Sequence, residues 1–358
     1  MRRWVILVLT LVLCIIPVAA LDGETVPGWD GLWDQAEDYG VTRDTGLEGG
    51  LSQLAAQGLE QLKELAGRSV ATGVKLLAVV LVCGLAQSAA LPGQQEGVRA
   101  AELAGALAIT ALTMTDVAAM IGLGLETLRR MDDFSQALLP VMAALTAATG
   151  RVSGAAVGQG VTVLFSQLLL DAMDGLLIPL IDGYVAVSCA WAAVDSPGLK
   201  KLGELMKGAA ALLLTGLLLT FVGYLTASGA IAGSVDAAAV KTAKLAISRA
   251  IPVVGGILAD ASETVLAGAG VLRGTVGAAG MLVVLAICLT PFLHLGLHYL
   301  VYKAAAALCA LIAQPRLSGL IDALGGAFGM VLGMTGAGAL ILLVSVASAL
   351  AAVGGGIG

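Results

Sequence analysis

ALGGAFGMVLGMTGAGALILLV, Ala323 to Val344, decides the fold class. The stretch carries no charge, and none follows as far as Gly358. At 1.5 Å per residue, about 20 residues of this kind cross the ~30 Å hydrocarbon core of a bilayer. Unpaired backbone N–H and C=O groups are too costly in lipid, so such a stretch has to be helical. Similar charge-free windows recur upstream at Leu76–Gln95, Phe134–Gly150, Val152–Leu170, Gly208–Val235 and Gly274–Tyr302. Leu103–Thr115 and Gly183–Val194 are shorter windows flanked by single acids. Together they predict an all-α, polytopic transmembrane helix bundle with about seven membrane-embedded helices.

The whole-chain composition agrees. Of 358 residues, 58% are hydrophobic and 12% charged, against roughly 45–50% and 25% for soluble domains. Mean hydropathy is +0.96. Too little charge is present to cover a soluble surface, which excludes a soluble enzyme and a disordered tail. The net charge of −6 and the lack of a basic cluster exclude nucleic acid as a partner.

The N-terminal part divides in two. Met1-Arg2-Arg3, the apolar run Trp4–Ile16 and the small residues Val18-Ala19-Ala20 have the layout of a signal peptide over residues 1–20. The alternative is an uncleaved anchor helix. Residues 21–69 form an acidic extracytoplasmic segment with ten acids and three bases. Within it, Leu51, Leu54, Ala55, Leu59, Leu62 and Leu65 make one helical stripe, read as a short lead-in helix. Residues 70–358 are the multi-pass transmembrane domain.

Two sequence features predict irregular helices. Leu139-Pro140-Val141 resembles Ile251-Pro252-Val253 at an offset of 112, and Pro179 and Pro291 share that offset. This suggests an internal repeat of the kind transporters use, the alternative being coincidence in an Ala/Gly/Leu-rich chain. Proline removes one helical hydrogen bond, so Pro179 and Pro291 should kink or divide their spans. Pro252-Val253-Val254-Gly255-Gly256 has the composition of a broken or re-entrant helix.

Charges inside apolar spans mark a pathway or a pairing. Glu102 and Asp116 bracket one span, and Asp171, Asp174 and Asp182 recur close to one helix face. Asp260 and Glu263 follow the Pro252 break at i,i+3 spacing, with Arg273 and Lys303 farther on. Pro252, Gly255, Gly256, Asp260 and Glu263, with Asp171, Asp174 and Asp182, are therefore the candidate pathway or pairing residues; the alternative for the acids is an inexpensive place at the membrane surface. Lys241, Lys244 and Arg249 alternate with Ala237, Val240, Leu245 and Ile247, as expected of an interfacial helix near anionic head groups. A cytoplasmic loop is the other reading.

Catalytic chemistry is sparse. Cys83, Cys189, Cys288 and Cys309 stand singly in apolar runs and read as small core residues. His294 and His298 share a face, but two ligands make no metal site, and packing or pore-lining roles suit them better. No phosphate-binding GxxxxGK[ST] motif or nucleophile elbow occurs. The expectation is a non-enzymatic protein without metal or cofactor. Gly154–Gly158, Gly270–Gly274, Gly325–Gly329 and Gly329–Gly333 are GxxxG steps, which permit close helix approach.

Several runs carry a resemblance to a family. Gly150-Arg151-Val152-Ser153-Gly154-Ala155-Ala156-Val157, Lys241-Thr242-Ala243-Lys244-Leu245-Ala246-Ile247-Ser248, Ala250-Ile251-Pro252-Val253-Val254-Gly255-Gly256, Leu258-Ala259-Asp260-Ala261 and Val301-Tyr302-Lys303-Ala304-Ala305-Ala306 resemble the stage III sporulation protein AE family. The likeness covers roughly Leu139 onward. It implies a multi-pass component of the mother-cell membrane, facing the forespore. Such a component belongs to the channel or export apparatus that joins the two cells during endospore formation and supports late forespore gene expression and development. The implied partners are the other stage III sporulation A-operon proteins and stage II sporulation protein Q, besides the lipid bilayer. The resemblance supplies no catalytic residues and no cargo. A membrane scaffold without its own conduit and a secondary transporter of a small solute are the alternatives.

Overall fold

Leucine, alanine, valine and isoleucine runs without charge can satisfy their backbone only within themselves, and every regular element found is helical. The computed structural model describes residues 47–89, 95–148, 164, 166–227, 275–312 and 315–354. Its helices are α1 (Leu47–Ser88), α2 (Gln95–Ala148), α3 (Ile178–Val194), α4 (Pro197–Ala227), α5 (Thr275–Cys309) and α6 (Pro315–Gly354). A π-helical turn, Met173–Leu177, leads into α3. Six stretches among the described residues are long and apolar enough to cross a membrane. No strand occurs among the described residues.

Among the described residues, the expected spans differ from the helices at α2. The windows Leu103–Thr115 and Phe134–Gly150 suggest separate spans, yet one helix of 54 residues runs from Gln95 to Ala148. The charged stretch Glu126–Asp133 between them does not break it. Arg130 Nε donates to Glu126 Oε1 at 3.0 Å and Gln136 Nε2 to Asp132 Oδ2 at 2.9 Å. Both pairs stand one turn apart, so helix and charge are compatible. At about 80 Å long, α2 exceeds the bilayer core more than twofold. The lead-in stripe is likewise no separate helix. It is the first half of α1, which runs unbroken through residue 69. Leu54 is buried, and Gly58 packs against Leu289 and Leu293 of α5.

The helices form three hairpins, α1–α2, α3–α4 and α5–α6, with their tips at one end. Where glycines let neighbours in, the pairings give the directions. Gly325 meets Tyr302 and Gly329 meets Tyr299, so α5 and α6 are antiparallel. Gly50, Gly58 and Gly73 meet Leu282, Leu289 and Val301, so α1 runs parallel to α5. Gly105 and Gly124 meet Leu317 and Val331, so α2 runs parallel to α6. Gly319 meets Trp191 and Gly326 meets Tyr184, which sets α3 antiparallel to α6.

Helix α6 is the axis of the bundle. Its apolar stretch is 94% buried, against 22% for that of α4. A helix that is hydrophobic all round has no face to give to water and belongs inside. The fully buried Phe134, Phe221, Phe328 and Tyr302 pack the centre. Cys83, Cys288 and Cys309 are buried as small core residues. The GxxxG step Gly325–Gly329 takes the Tyr302 and Tyr299 side chains of α5. Gly154–Gly158 and Gly270–Gly274 lie outside the described residues.

The two prolines behave differently, and neither divides its span. Before Pro179 the helix widens: the Ile178 N–H bonds to the Met173 carbonyl, a π-type i→i−5 step that makes room for the ring. Pro291 sits buried inside α5, which continues to Cys309. Flanking packing of Met281–Cys288 and Leu295 supports the helix on both sides of it. At the offset of 112, Pro179 and Pro291 fall in the hairpins α3–α4 and α5–α6, which point the same way. The Pro252 break lies outside the described residues.

Candidate functional site

Two charges flagged from sequence find partners far along the chain. Arg316, at the start of α6, donates from Nη1 to Glu102 Oε2 of α2 at 3.0 Å. Its Nη2 donates to the Ala193 carbonyl of α3 at 2.9 Å, and Nε lies 3.8 Å from Asp195 Oδ1. Asp195, which closes α3, has a φ of 56°, a left-handed conformation that aspartate tolerates. One guanidinium thus ties the tips of all three hairpins together, with its own side chain and that of Glu102 nearly nine-tenths buried. Its planar fork suits this bridging, which a lysine point charge would not reproduce.

Asp116 Oδ2 accepts from the Tyr302 hydroxyl at 3.1 Å, linking α2 to α5. The Tyr302 ring stacks edge-on against Phe328 at 4.8 Å, and His298 lies edge-on to the same ring at 6.0 Å. His298 Nδ1 donates to the His294 carbonyl at 2.9 Å, so one of the paired histidines is used within its own helix. Thr290 donates to Gln61 Oε1 at 3.0 Å between α5 and α1. Polar pairs of this kind lock helices whose remaining contacts are non-directional. They hold the fold and leave their carboxylates committed.

The acids of the third span are arranged otherwise. Asp171 and Asp182 are exposed and Asp174 is half-buried. Leu164, Leu168 and Leu176, all more than half exposed, accompany them on the outer surface. Asp182 lies near the middle of the span Ser166–Val194. An ionised side chain there costs about 2.5–3.5 kcal/mol if it faces lipid. Among the described residues no ion pair engages Asp171, Asp174 or Asp182. Asp132 of α2 sits close enough to Asp171 for the two carboxylates to repel each other. The site residues Pro252, Gly255, Gly256, Asp260 and Glu263, and the basic residues Lys241, Lys244 and Arg249, lie outside the described residues.

A third charged group was not singled out as a site in the sequence. Lys303 Nζ donates to Asp322 Oδ1 at 2.6 Å and to the Asp322 carbonyl at 3.2 Å, joining the end of α5 to the start of α6. The Asp322 side chain is half exposed. The two residues are 19 apart across a hairpin, and the only signal available was their position at the ends of two charge-free runs.

Residues 46–353 match the family described as Stage III sporulation protein AE. The chain is 29% identical over 202 residues to Stage III sporulation protein AE of Bacillus subtilis (strain 168), an overlap covering 56% of this chain and 50% of that relative. The match therefore spans about half the length of the curated relative. No solved structure matches the chain. With the family match running across most of its length, the chain belongs to the stage III sporulation protein AE family.

Proposed function

We propose that this chain is a wall component of the channel or export apparatus that joins mother cell and forespore, seated in the mother-cell membrane and non-catalytic. On this reading it works with other stage III sporulation A-operon proteins and with stage II sporulation protein Q. The family ties the chain to sporulation, and the six apolar helices make it a membrane protein. The observation that carries the finer reading is the outward face of α3 and its lead-in turn. Helix α6 fills the axis of the bundle, so among the described residues a polar path runs outside it, not through it. Asp171 and Asp182 are exposed on that outside, where lipid would penalise them and water or a polar partner would not. A single-chain transporter would place its site within the bundle, where α6 sits.

The test is chemical access at Asp182. In sporulating cells, Asp182→Cys should react with a membrane-impermeant maleimide, and Leu168→Cys, on an exposed apolar position of the same segment, should react more slowly. Asp182→Asn should insert and accumulate normally while lowering spore yield at least tenfold. Wild-type spore yield from Asp182→Asn, together with an Asp182→Cys variant that the maleimide leaves unlabelled, would sink the conduit and favour a scaffold in which α3 meets a partner helix directly.

A further inference from the structure

The outer surface of the bundle differs from side to side at one depth. Glycine contacts with the central helix fix the depths. Gly105 and Gly124 of α2 meet Leu317 and Val331 of α6. Trp191 and Tyr184 of α3 meet Gly319 and Gly326, with Lys207 of α4 beside Gly326. The interval Leu317–Val331 of α6 therefore has α2 along one side and the α3–α4 hairpin along another.

On α2 no exposed position between Arg99 and Glu126 is charged. Glu102 is buried against Arg316, and Asp116 is half-buried under the Tyr302 hydroxyl. About 39 Å of uncharged outer surface results, on which the ~30 Å hydrocarbon core fits. Leu103, Leu107, Leu112 and Met114 are exposed along it. The neighbouring α1 exposes Val74, Leu81, Val82 and Leu85, with Lys75 as one exposed cation. The long stem of a single lysine can carry its charge to the polar surface.

The α3–α4 hairpin is charged at the same depth. Lys200, Lys201 and Glu204 of α4 and Asp182 of α3 are all exposed. The Lys200 ammonium stands 5.8 Å from the centre of the Trp191 ring, which sets it at the depth of Gly319. Farther from the hairpin tip Asp171 is exposed too. Between Asp171 and Asp182 the outer surface of α3 is free of exposed charge only over Ala172–Ile181, about 15 Å of helix. A flat bilayer that fits α2 would place four charged side chains of the hairpin in hydrocarbon, and each is costly there. Lipid accommodates an apolar height that is too short by thinning around it.

We infer that the α3–α4 hairpin thins the bilayer on its own side of the bundle. Headgroups and water on the hairpin-tip face descend along Lys200, Lys201 and Glu204 to Asp182, and hydrocarbon of about half the usual thickness remains beyond it. The partner of this face is the phospholipid headgroup layer, whose phosphates suit the lysines and whose water suits the acids. The inference deepens the reading of α3 as the side of a polar path and rests on it for its use: a polar cargo passing beside α3 would meet a thinner barrier.

The experiment compares exposed leucines at matched depth on the two sides. The full chain is purified and placed alone in vesicles of phosphatidylglycerol and phosphatidylethanolamine, with a membrane-impermeant maleimide on both faces. Leu205→Cys of α4 should label at least tenfold faster than Leu112→Cys of α2. Leu202→Cys against Leu107→Cys is a second pair, which decides the matter if a variant of the first fails to insert. Labelling is counted above that of the unsubstituted chain, whose Cys83, Cys288 and Cys309 are buried. Adding Lys201→Leu and Glu204→Leu to Leu205→Cys should slow its labelling, because hydrocarbon then covers the site. Equal rates on the two helices overturn the inference: both fast means a flat headgroup surface at this depth, and both slow means flat hydrocarbon. The vesicles hold no other sporulation protein, so the two readings fail separately. Unequal labelling with wild-type spore yield from Asp182→Asn keeps the thinning and removes its use, whereas equal labelling removes the thinning alone.

Discussion

Arg316→Ala is expected to destabilise the bundle by about 3–5 kcal/mol, the usual cost of removing one partner from a buried ion pair. The cost arises because Glu102 would be left nearly nine-tenths buried with its cation gone. The Ala193 carbonyl would lose a donor as well. Arg316→Lys should recover only part of the loss, since one ammonium cannot reach Glu102, Ala193 and Asp195 together. The double variant Arg316→Met/Glu102→Met should lie closer to wild type than Arg316→Ala does, because an apolar pair replaces a buried ionic one at little net cost. Unfolding in mixed detergent micelles measures all three. An Arg316→Ala bundle as stable as wild type would mean that the three hairpin tips are held by packing alone.

That pair also marks the limit of what is legible in sequence. Membrane class and helical fold follow from charge-free length, because lipid leaves the backbone no alternative to helix. Glu102 and Asp116 are recognisable as charges needing a partner. Their partners, Arg316 and Tyr302, lie 214 and 186 residues away, and one chain's hydropathy contains nothing about such pairings. The reading of Leu103–Thr115 and Phe134–Gly150 as separate helices errs for a related reason. Glu126–Asp133 looks like a loop to a hydropathy window, but its polar side chains pair one turn apart and support a continuous helix. Pro179 and Pro291 show that proline predicts a local adjustment without its size: a π turn absorbs one, and dense packing carries the other. The exposed positions of Asp171 and Asp182 are half legible. Spacing puts them near one face, but whether that face looks inward or outward depends on which helix takes the axis.

Glycine placement offers the sharpest contrast, within two residues of α2. A Cβ on Gly124 would collide with Val331 Cγ1 of α6, while nothing lies within 4 Å of the corresponding point on Gly122. Val331 is fully buried on the central helix and β-branched, so it has few rotamers to retreat into. Gly124→Ala should therefore force α2 and α6 apart and cost about 1–3 kcal/mol, in the range of overpacked cores. Gly124→Leu should prevent the bundle from forming, seen as loss of the protein from the membrane fraction. Gly122→Ala, by contrast, should be neutral or stabilising by up to about 1 kcal/mol, the gain in helix propensity over glycine. The same micelle unfolding assay compares the two alanine variants directly. If they shift stability in the same direction by similar amounts, α2 and α6 do not meet at Gly124, and the packing that places α6 on the axis is wrong.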